Sequence, residues 1–167
     1  MEEPNKQYFG MVLAKTIEDH ELMMEAIGFL LANKNWTLRT GGDLGVNNPF
    51  ERGALSRSKS SIIEKIDFNN PSVKVTSYCS KMFGKAFFDF SDGKQKYISN
   101  FVANILGKNC DNPVKFVMVA SNNRKNVLDV EKICKKHAID YYDLCIKEHC
   151  KIVQDKIDTM VKGYREK

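Results

Sequence analysis

The sequence lacks a hydrophobic run long enough to cross a bilayer, and residues 1–6 lack the apolar core of an export signal. We therefore expect no membrane association and a cytoplasmic location. Internal repeats, low-complexity segments and long Gly/Ser linkers are also missing, which argues against solenoids and strings of domains. A chain of 167 residues can bury its own core, so we expect residues 1–167 to form a single domain.

Cysteine is present, but not in the patterns that hold zinc or form a disulfide framework. The five cysteines are an odd number without a CxxC pair, which favours reduced thiols. The nearest approach to a metal motif is Cys134-x2-His137 followed by Cys145-x3-His149-Cys150, whose spacings match none of the usual zinc patterns. We expect no metal and no bound cofactor.

A strong excess of one charge is missing as well. The chain has 26 Lys and Arg against 21 Asp and Glu, a net charge of +5 at pH 7. This modest basicity favours anionic partners. No block of five or six like charges marks a dedicated nucleic-acid arm, so a solvated basic surface is the simpler interpretation.

Short apolar runs alternate with helix-periodic segments along the chain. Strands are predicted at residues 8–14, 36–40, 60–68, 114–120 and 139–144. Helices are predicted from Thr16 to Leu31 with an apolar face that includes Leu22, from about residue 48, at 94–106, at 127–137 with Asn126 as its cap, and at 146–164. Residues 69–92 receive no assignment. The alternation predicts an α/β fold, a Rossmann-like open parallel sheet flanked by helices, in which the C-terminal helix (residues 146–167) either packs on the core or mediates self-association.

A glycine-rich turn, Gly41-Gly42-Asp43-Leu44-Gly45, separates the second predicted strand from a helix that starts near Pro49. Glycines let backbone N–H groups approach an anion, and a helix N-terminus adds partial positive charge. Because ligands of open α/β sheets bind at the carboxyl ends of strands, the turn predicts a phosphate-bearing ligand. The alternative is that the glycines serve only the tight geometry of the turn.

The longer string NWTLRTGGDLGVNNPFERGA (residues 35–54) resembles a signature of Rossmann-like proteins, GW-x-LR-[ST]-GGA-x-GAD-x-AFE-x-GA. That signature marks the Smf/DprA and lonely-guy (LOG) superfamily, especially its small phage-borne and bacterial members. Weaker likenesses at residues 8–14, 100–107 and 112–117 extend the resemblance over most of residues 8–144. It implies a nucleotide or nucleotide-derived ligand, self-association, and the host cytoplasm as the location of a phage-encoded member.

Three departures from the family pattern concern the site itself. The first strand ends in Ala14-Lys15-Thr16 where the family has Gly-Ser-Arg, and Asn47 replaces the aspartate of GAD. The second glycine-rich phosphate loop is replaced by Ser121-Asn122-Asn123-Arg124-Lys125-Asn126, in which asparagine tolerates left-handed backbone and Arg124 or Lys125 offers positive charge. The loss of that loop favours binding without catalysis.

The predicted ligand contacts lie at strand ends and in the turns that follow. They are Lys15, Arg39, Thr40, Gly41, Gly42, Asp43, Gly45, Asn47, Glu51, Ser121, Asn122 and Asn123. Arg39 either grips a phosphate bidentately or forms a structural ion pair with Glu51. Glu51 either accepts hydrogen bonds from a ribose or stabilises the helix N-terminus.

Three functions stay open at this point. The first is a binding module for a nucleotide or nucleotide-derived ligand. The second is an N-glycosidase resembling lonely-guy enzymes, in which Glu51 and Asp129 would stabilise an oxocarbenium-like transition state and activate water. The third is single-stranded DNA binding, resembling the DprA branch, through Arg39, Arg52, Arg57 and Lys59. The first is the prediction that the missing second loop favours.

Overall fold

Five parallel strands form the centre of the molecule in the computed structural model, which describes residues 6–12, 18–41, 48–57, 63–66, 70–121 and 123–166. The strands are β1 (Gln7–Val12), β2 (Thr37–Thr40), β3 (Ile63–Lys65), β4 (Phe116–Ala120) and β5 (Asp140–Asp143). The helices are α1 (Glu18–Asn33), α2 (Pro49–Arg57), α3 (Val73–Phe83), α4 (Ala86–Asp89), α5 (Asp92–Leu106), α6 (Arg124–Lys136) and α7 (Lys147–Arg165). No helix within these ranges is both long and apolar enough to span a bilayer.

The strand order is β3-β2-β1-β4-β5, and every neighbouring pair is parallel. Phe9 of β1 lies opposite Arg39 on one side and Val117 on the other. The chain therefore winds outward from β1 to β3, then crosses to β4 and winds the other way. This confirms the predicted α/β fold, a Rossmann-like open parallel sheet flanked by helices.

Helices cover both faces of the sheet. Alternate side chains of each strand point to opposite faces, so each face has a core of its own. Tyr8 and Met118 point into a core with α1, α2 and α7. Phe9 and Val117 point into a second core with α3, α4, α5 and α6. The C-terminal helix α7 packs on the first core through Val153 and Ile157, which are almost fully buried.

Two glycines allow α1 and α2 to approach at backbone distance. A Cβ atom added at Gly28 would lie 2.2 Å from the carbonyl oxygen of Phe50, and one added at Gly53 would lie 2.0 Å from the carbonyl oxygen of Glu25. Real Cβ atoms do not approach backbone so closely, so any side chain at either position would push the helices apart. This contact fixes where α2 begins, next to the carboxyl end of β1.

Several predicted boundaries were wrong. The segment without assignment contains α3 and α4, whose short length or β-branched residues (Val73, Val75 and Thr76) hide the helical pattern. Helix α6 begins at Arg124 because Asn123, and not Asn126, is its N-cap: the Asn123 side chain accepts from the Asn126 N–H. Of the third predicted strand, residues 63–65 form β3, and residues 60–62 and 67–68 lie outside the described ranges. Residues 13–14 of the first predicted strand and Thr16 of the first predicted helix also lie outside them.

Leu22 does not belong to the buried face of α1, as the sequence predicted, since it is 80% exposed. The buried stripe runs through Met24, Ile27 and Leu31 instead. The helix is apolar over more of its circumference than it buries, so the pattern alone could not exclude Leu22.

Candidate functional site

The carboxyl edge of the sheet is where most of the predicted ligand residues fall. At the junction of β1 and β4 the chain reverses its direction of winding, and in open α/β sheets this topological switch opens a crevice outside the carboxyl ends of the strands. Thr40 ends β2 and Gly41 follows it beside this point, and Ser121 follows β4. Six predicted contacts lie outside the described residues: Lys15, Gly42, Asp43, Gly45, Asn47 and Asn122.

Gly41 is buried against the side chain of Asn100 on α5. A Cβ atom at Gly41 would lie 2.3 Å from Asn100 Oδ1 and 3.1 Å from its Nδ2. Close packing therefore favours glycine at this first position of the turn, because any side chain there would have to displace the Asn100 amide.

Asn100 is the residue of this edge that sequence reasoning missed. It is only 6% exposed, and its Oδ1 accepts from Asn104 Nδ2 at 3.1 Å. Its own Nδ2 has no acceptor among the described residues. An unpaired buried donor costs free energy, so this amide beside the glycine turn is a candidate ligand contact. In the sequence Asn100 is the first residue of the stretch at 100–107 that resembles the family pattern, but no feature there marked it as a ligand contact.

The N-terminus of α2 is anchored at the same edge. Asn48 accepts from the Phe50 N–H at 3.0 Å and donates through Nδ2 to the Gly10 carbonyl of β1 at 3.3 Å. The predicted helix start at Pro49 is confirmed. Glu51 lies in the first turn of this helix, where its Oε1 is 3.4 Å from the ammonium of Lys65 on β3.

Arg39 is fully buried, and its guanidinium is occupied within the protein. Nε donates to Glu64 at 3.0 Å, Nη1 donates to the carbonyls of Asn104 and Asn112 at 3.2 and 2.9 Å, and Nη2 donates to Gln7 Oε1 at 2.7 Å. Gln7 begins β1 and Asn112 precedes β4, so the guanidinium points towards the amino edge of the sheet, away from the glycine turn. Of the two alternatives given for Arg39, the structural ion pair with Glu51 is wrong: the partner is Glu64.

The turn after β4 is held by its own side chains. Ser121 is fully buried and its Oγ accepts from the Asn123 N–H at 3.0 Å. Arg124 Nη1 lies 2.7 Å from Oδ2 of the buried Asp143 carboxylate, and the interaction with Asp143 raises the pKa of the arginine. The Asp143 carboxylate also accepts from the Cys145 N–H at 2.9 Å. Arg124 is thus neutralised by a carboxylate that the sequence analysis did not connect with it.

The two carboxylates of the glycosidase hypothesis lie in different layers. Glu51 belongs to α2, which packs with α1 on one face of the sheet, whereas Asp129 belongs to α6 on the other face. Burial raises the pKa of Asp129, and Lys132, Lys94 and Lys125 partly offset that effect. Glu51 and Asp129 are therefore carried by helices on opposite faces of the sheet.

The basic residues of the DNA-binding hypothesis are engaged elsewhere or lie outside the description. Arg52 pairs with Glu25 at 2.6 Å and with Glu21 at 3.5 Å on the α1–α2 surface. The side chain of Arg57 and all of Lys59 lie outside the described part of the chain.

The cysteines and histidines of the metal-like spacing have other environments. Burial raises the pKa of the Cys134 thiol to about 12. The ring of His137 hydrogen-bonds to Tyr78 at 2.7 Å, and His149 Nδ1 accepts from the Asp143 N–H at 2.8 Å. Among the residues that the structure describes, no three His, Cys, Asp or Glu side chains are placed to hold a metal ion.

Comparison of the chain with family models, with curated proteins and with solved structures gave no match. The resemblance to the Smf/DprA and lonely-guy superfamily therefore rests on the string at residues 35–54 and stays a prediction.

Proposed function

We propose that the protein binds a phosphate-bearing ligand of the nucleotide type at the carboxyl edge of its sheet, without turning the ligand over. The observation that carries this proposal is the topological switch between β1 and β4. Crevices at such switch points are where open α/β sheets hold their ligands. Every predicted contact outside a strand or helix lies in one of the three segments of the chain that follow β1, β2 and β4.

Neutral hydrogen-bond donors support an anionic ligand at this edge. The N-terminus of α2 is fixed beside β1 by Asn48, and the partial positive charge of a helix start favours a phosphate group. The Asn100 amide adds a buried donor beside Gly41. Ser121 adds a buried hydroxyl after β4, although its oxygen already accepts one hydrogen bond.

The same contacts argue against catalysis by the lonely-guy route. That chemistry needs a carboxylate pair around the scissile bond, and Glu51 and Asp129 lie on opposite faces of the sheet. Glu51 is also paired with Lys65, which suits a role in joining α2 to β3.

The test is a thermal-shift screen of the purified protein against mononucleotides, cyclic nucleotides, ADP-ribose and short oligonucleotides. A ligand at one hundred times its Kd stabilises the folded state by about 2.7 kcal/mol, which corresponds to a Tm rise of about 5–10 °C for a chain of this size. Chromatography of each stabilising ligand checks whether free base is released.

A matched pair of variants locates the site. Gly42→Asp introduces a carboxylate into the predicted phosphate turn, and we expect it to abolish the Tm rise. Gly93→Asp introduces the same charge at an exposed position of α5 where a Cβ meets nothing within 4 Å, and we expect it to bind as the wild type does.

Each other outcome has a distinct meaning. Released base would establish the glycosidase function. Stabilisation by oligonucleotides alone, with an affinity that falls steeply with salt, would establish single-stranded nucleic-acid binding. Stabilisation by nothing in the panel, or equal loss in both variants, would contradict a nucleotide site at this edge.

A further inference from the structure

A second cavity lies at the opposite, amino edge of the sheet. Its volume is about 680 Å³, and it is an open cavity lined by the end of α1, the first residues of β4 and β5, and the middle of α7. Sites for small organic ligands typically measure about 300–1,000 Å³. We call it the amino-edge cavity; none of the predicted carboxyl-edge contacts lines it.

Aromatic rings form one wall of the amino-edge cavity. The rings of Trp36 and Phe116 lie 5.3 Å apart, and those of Phe116 and Tyr142 lie 6.3 Å apart. All three side chains are only partly buried, although each is packed against the core of α1 and α7. Val153 and Ile157 of α7 line the cavity as well and are almost fully buried. The wall can therefore bury further apolar surface if a ligand enters, which is the main source of affinity for an apolar body.

The charges around the cavity are unequal. Lys34, Lys115 and Lys156 line it, against Asp140 and Asp155. No ion pair joins any of these five side chains to a described residue of opposite charge, and the ammonium of Lys156 lies 5.7 Å from the centre of the Tyr142 ring. Lysine stems are long enough to lie along apolar surface while the ammonium stays in water, so the three can gather around one negative group at the mouth.

We propose that the amino-edge cavity binds an amphipathic organic anion, with an apolar body against the aromatic wall and one carboxylate or sulfonate among the three lysines. The negative charge assigned to the ligand is the part of this proposal that the experiment tests. Aromatic faces also attract cations, so a cationic amphiphile is the natural competitor. The proposal is independent of the carboxyl-edge function, because the two sites lie at opposite ends of the strands.

Trp36 is the only tryptophan of the chain and lines the cavity, so its fluorescence reports on the site directly. The experiment titrates the full-length protein with decanoate, decanol and decyltrimethylammonium, each below its micellar concentration. These probes share a ten-carbon chain and differ in charge, and their alkyl chains do not absorb with tryptophan. We expect decanoate to shift the Trp36 emission saturably and to bind at least about tenfold more tightly than decyltrimethylammonium, the ratio that about 1.4 kcal/mol of charge preference gives.

A charge-matched pair of variants separates the site from the net charge. The test variant carries Lys34→Gln, Lys115→Gln and Lys156→Gln. The control variant carries Lys132→Gln, Lys151→Gln and Lys162→Gln, which are exposed and do not line the cavity. We expect the test variant to bind decanoate about tenfold more weakly and decanol unchanged, since three exposed charge contacts contribute modestly each. The control variant should bind all three probes as the wild type does.

Four results would overturn the proposal. One is the absence of a saturable change in Trp36 emission with decanoate, and another is equal affinity for the three probes. The third is an equal loss of decanoate affinity in both lysine variants. The last is a change in Trp36 emission with protein concentration alone, which would mean that a second copy of the chain covers the cavity. Nucleotide-induced Tm shifts, measured on the same samples, should be unaltered by the lysine substitutions, so failure here and failure of the carboxyl-edge function are distinguishable.

Discussion

Replacing Arg39 tests whether this residue serves the fold or the ligand. The substitution Arg39→Met keeps an unbranched apolar stem but removes the guanidinium and every donor. In the structure it would remove the hydrogen bonds to the Asn104 and Asn112 carbonyls, to Gln7 Oε1 and to Glu64. Gln7 Oε1 and Glu64 Oε2 would each keep one other donor, at 3.2 and 3.3 Å. We therefore expect the variant to lose stability, and to bind any carboxyl-edge ligand normally under conditions where it is folded.

The expected loss of stability depends on how exposed each former partner of the guanidinium is. The Glu64 side chain is 39% exposed, so water can replace the arginine there and the ion pair contributes only about 1 kcal/mol. The hydrogen bond to Asn104 is buried, and an unsatisfied buried carbonyl costs about 1–3 kcal/mol. The partly buried bonds to Gln7 and Asn112 add about 1 kcal/mol together. The free energy of unfolding should thus fall by about 3–5 kcal/mol, in the range measured when one partner of a buried pair is removed.

The assay is urea unfolding at neutral pH, with two comparison variants. Arg52→Met removes another arginine that has two carboxylate partners, but one that is 30% exposed on the α1–α2 surface, and it should cost less than about 1 kcal/mol. A double-mutant cycle of Arg39→Met with Glu64→Gln should give a coupling of about 1 kcal/mol. The reasoning would be refuted if Arg39→Met lost no more stability than Arg52→Met while abolishing ligand binding. Arg39 would then be a ligand residue.

Three further predictions concern packing and the thiols. Gly53→Ala places a Cβ 2.0 Å from a backbone oxygen of α1 and should lower the free energy of unfolding by about 1–3 kcal/mol in urea, whereas Gly163→Ala, at an open position of α7, should raise it by up to about 1 kcal/mol. Brief alkylation of the native protein followed by mass mapping should modify exposed Cys145 and spare buried Cys79 and Cys134, and early labelling of the buried pair would contradict the two cores. Burial raises the folded-state pKa of Cys134 from 9.0 to about 12, so its contribution to stability is complete below pH 9 and is lost as the pH rises towards 12. The free energy of unfolding should fall along this interval, and Cys134→Ala should reduce that fall by up to about 1.4 kcal/mol per pH unit. An unchanged slope in Cys134→Ala would refute the assignment.

The strands and the long helices could be predicted because their signals are local. Residues 116–120 form an uncharged, β-branched run, and such a run reads as a buried strand without knowledge of its neighbours. Helix α3 could not be predicted in this way. Its capping serine and its two buried residues, Val75 and Cys79, become meaningful only against α5, with which it packs. The exposure of Leu22 is likewise set by where α2 crosses α1, which no local pattern contains.

The candidate site likewise has parts that the local sequence predicts and parts that depend on long-range contacts. The glycine turn and the start of α2 are sequence-local, and the described parts of both fall at the carboxyl edge as predicted. The pairing of Arg39 is a long-range property: Gln7 and Asn112 are 32 and 73 residues away along the chain. A signature that contains an arginine beside a phosphate turn does not reveal which way the guanidinium points, because that depends on which acceptors the opposite end of the sheet supplies. The position of Asn100 beside Gly41 is a long-range property as well.

Most of the described cationic side chains that were considered for the carboxyl edge are paired within the protein. Arg39 points to the other end of the sheet, Arg124 is paired with Asp143, and Lys65 is paired with Glu51. What this edge offers to an anion is therefore mostly neutral: a helix start, an asparagine amide and, in the sequence of the turn, glycine N–H groups. Neutral donors hold a single phosphate by direction and distance, whereas a polyanion is held by many cations whose contribution falls steeply with salt. This balance favours a small ligand with one or two phosphates over a nucleic-acid strand, and it makes the salt dependence of binding as informative as the affinity.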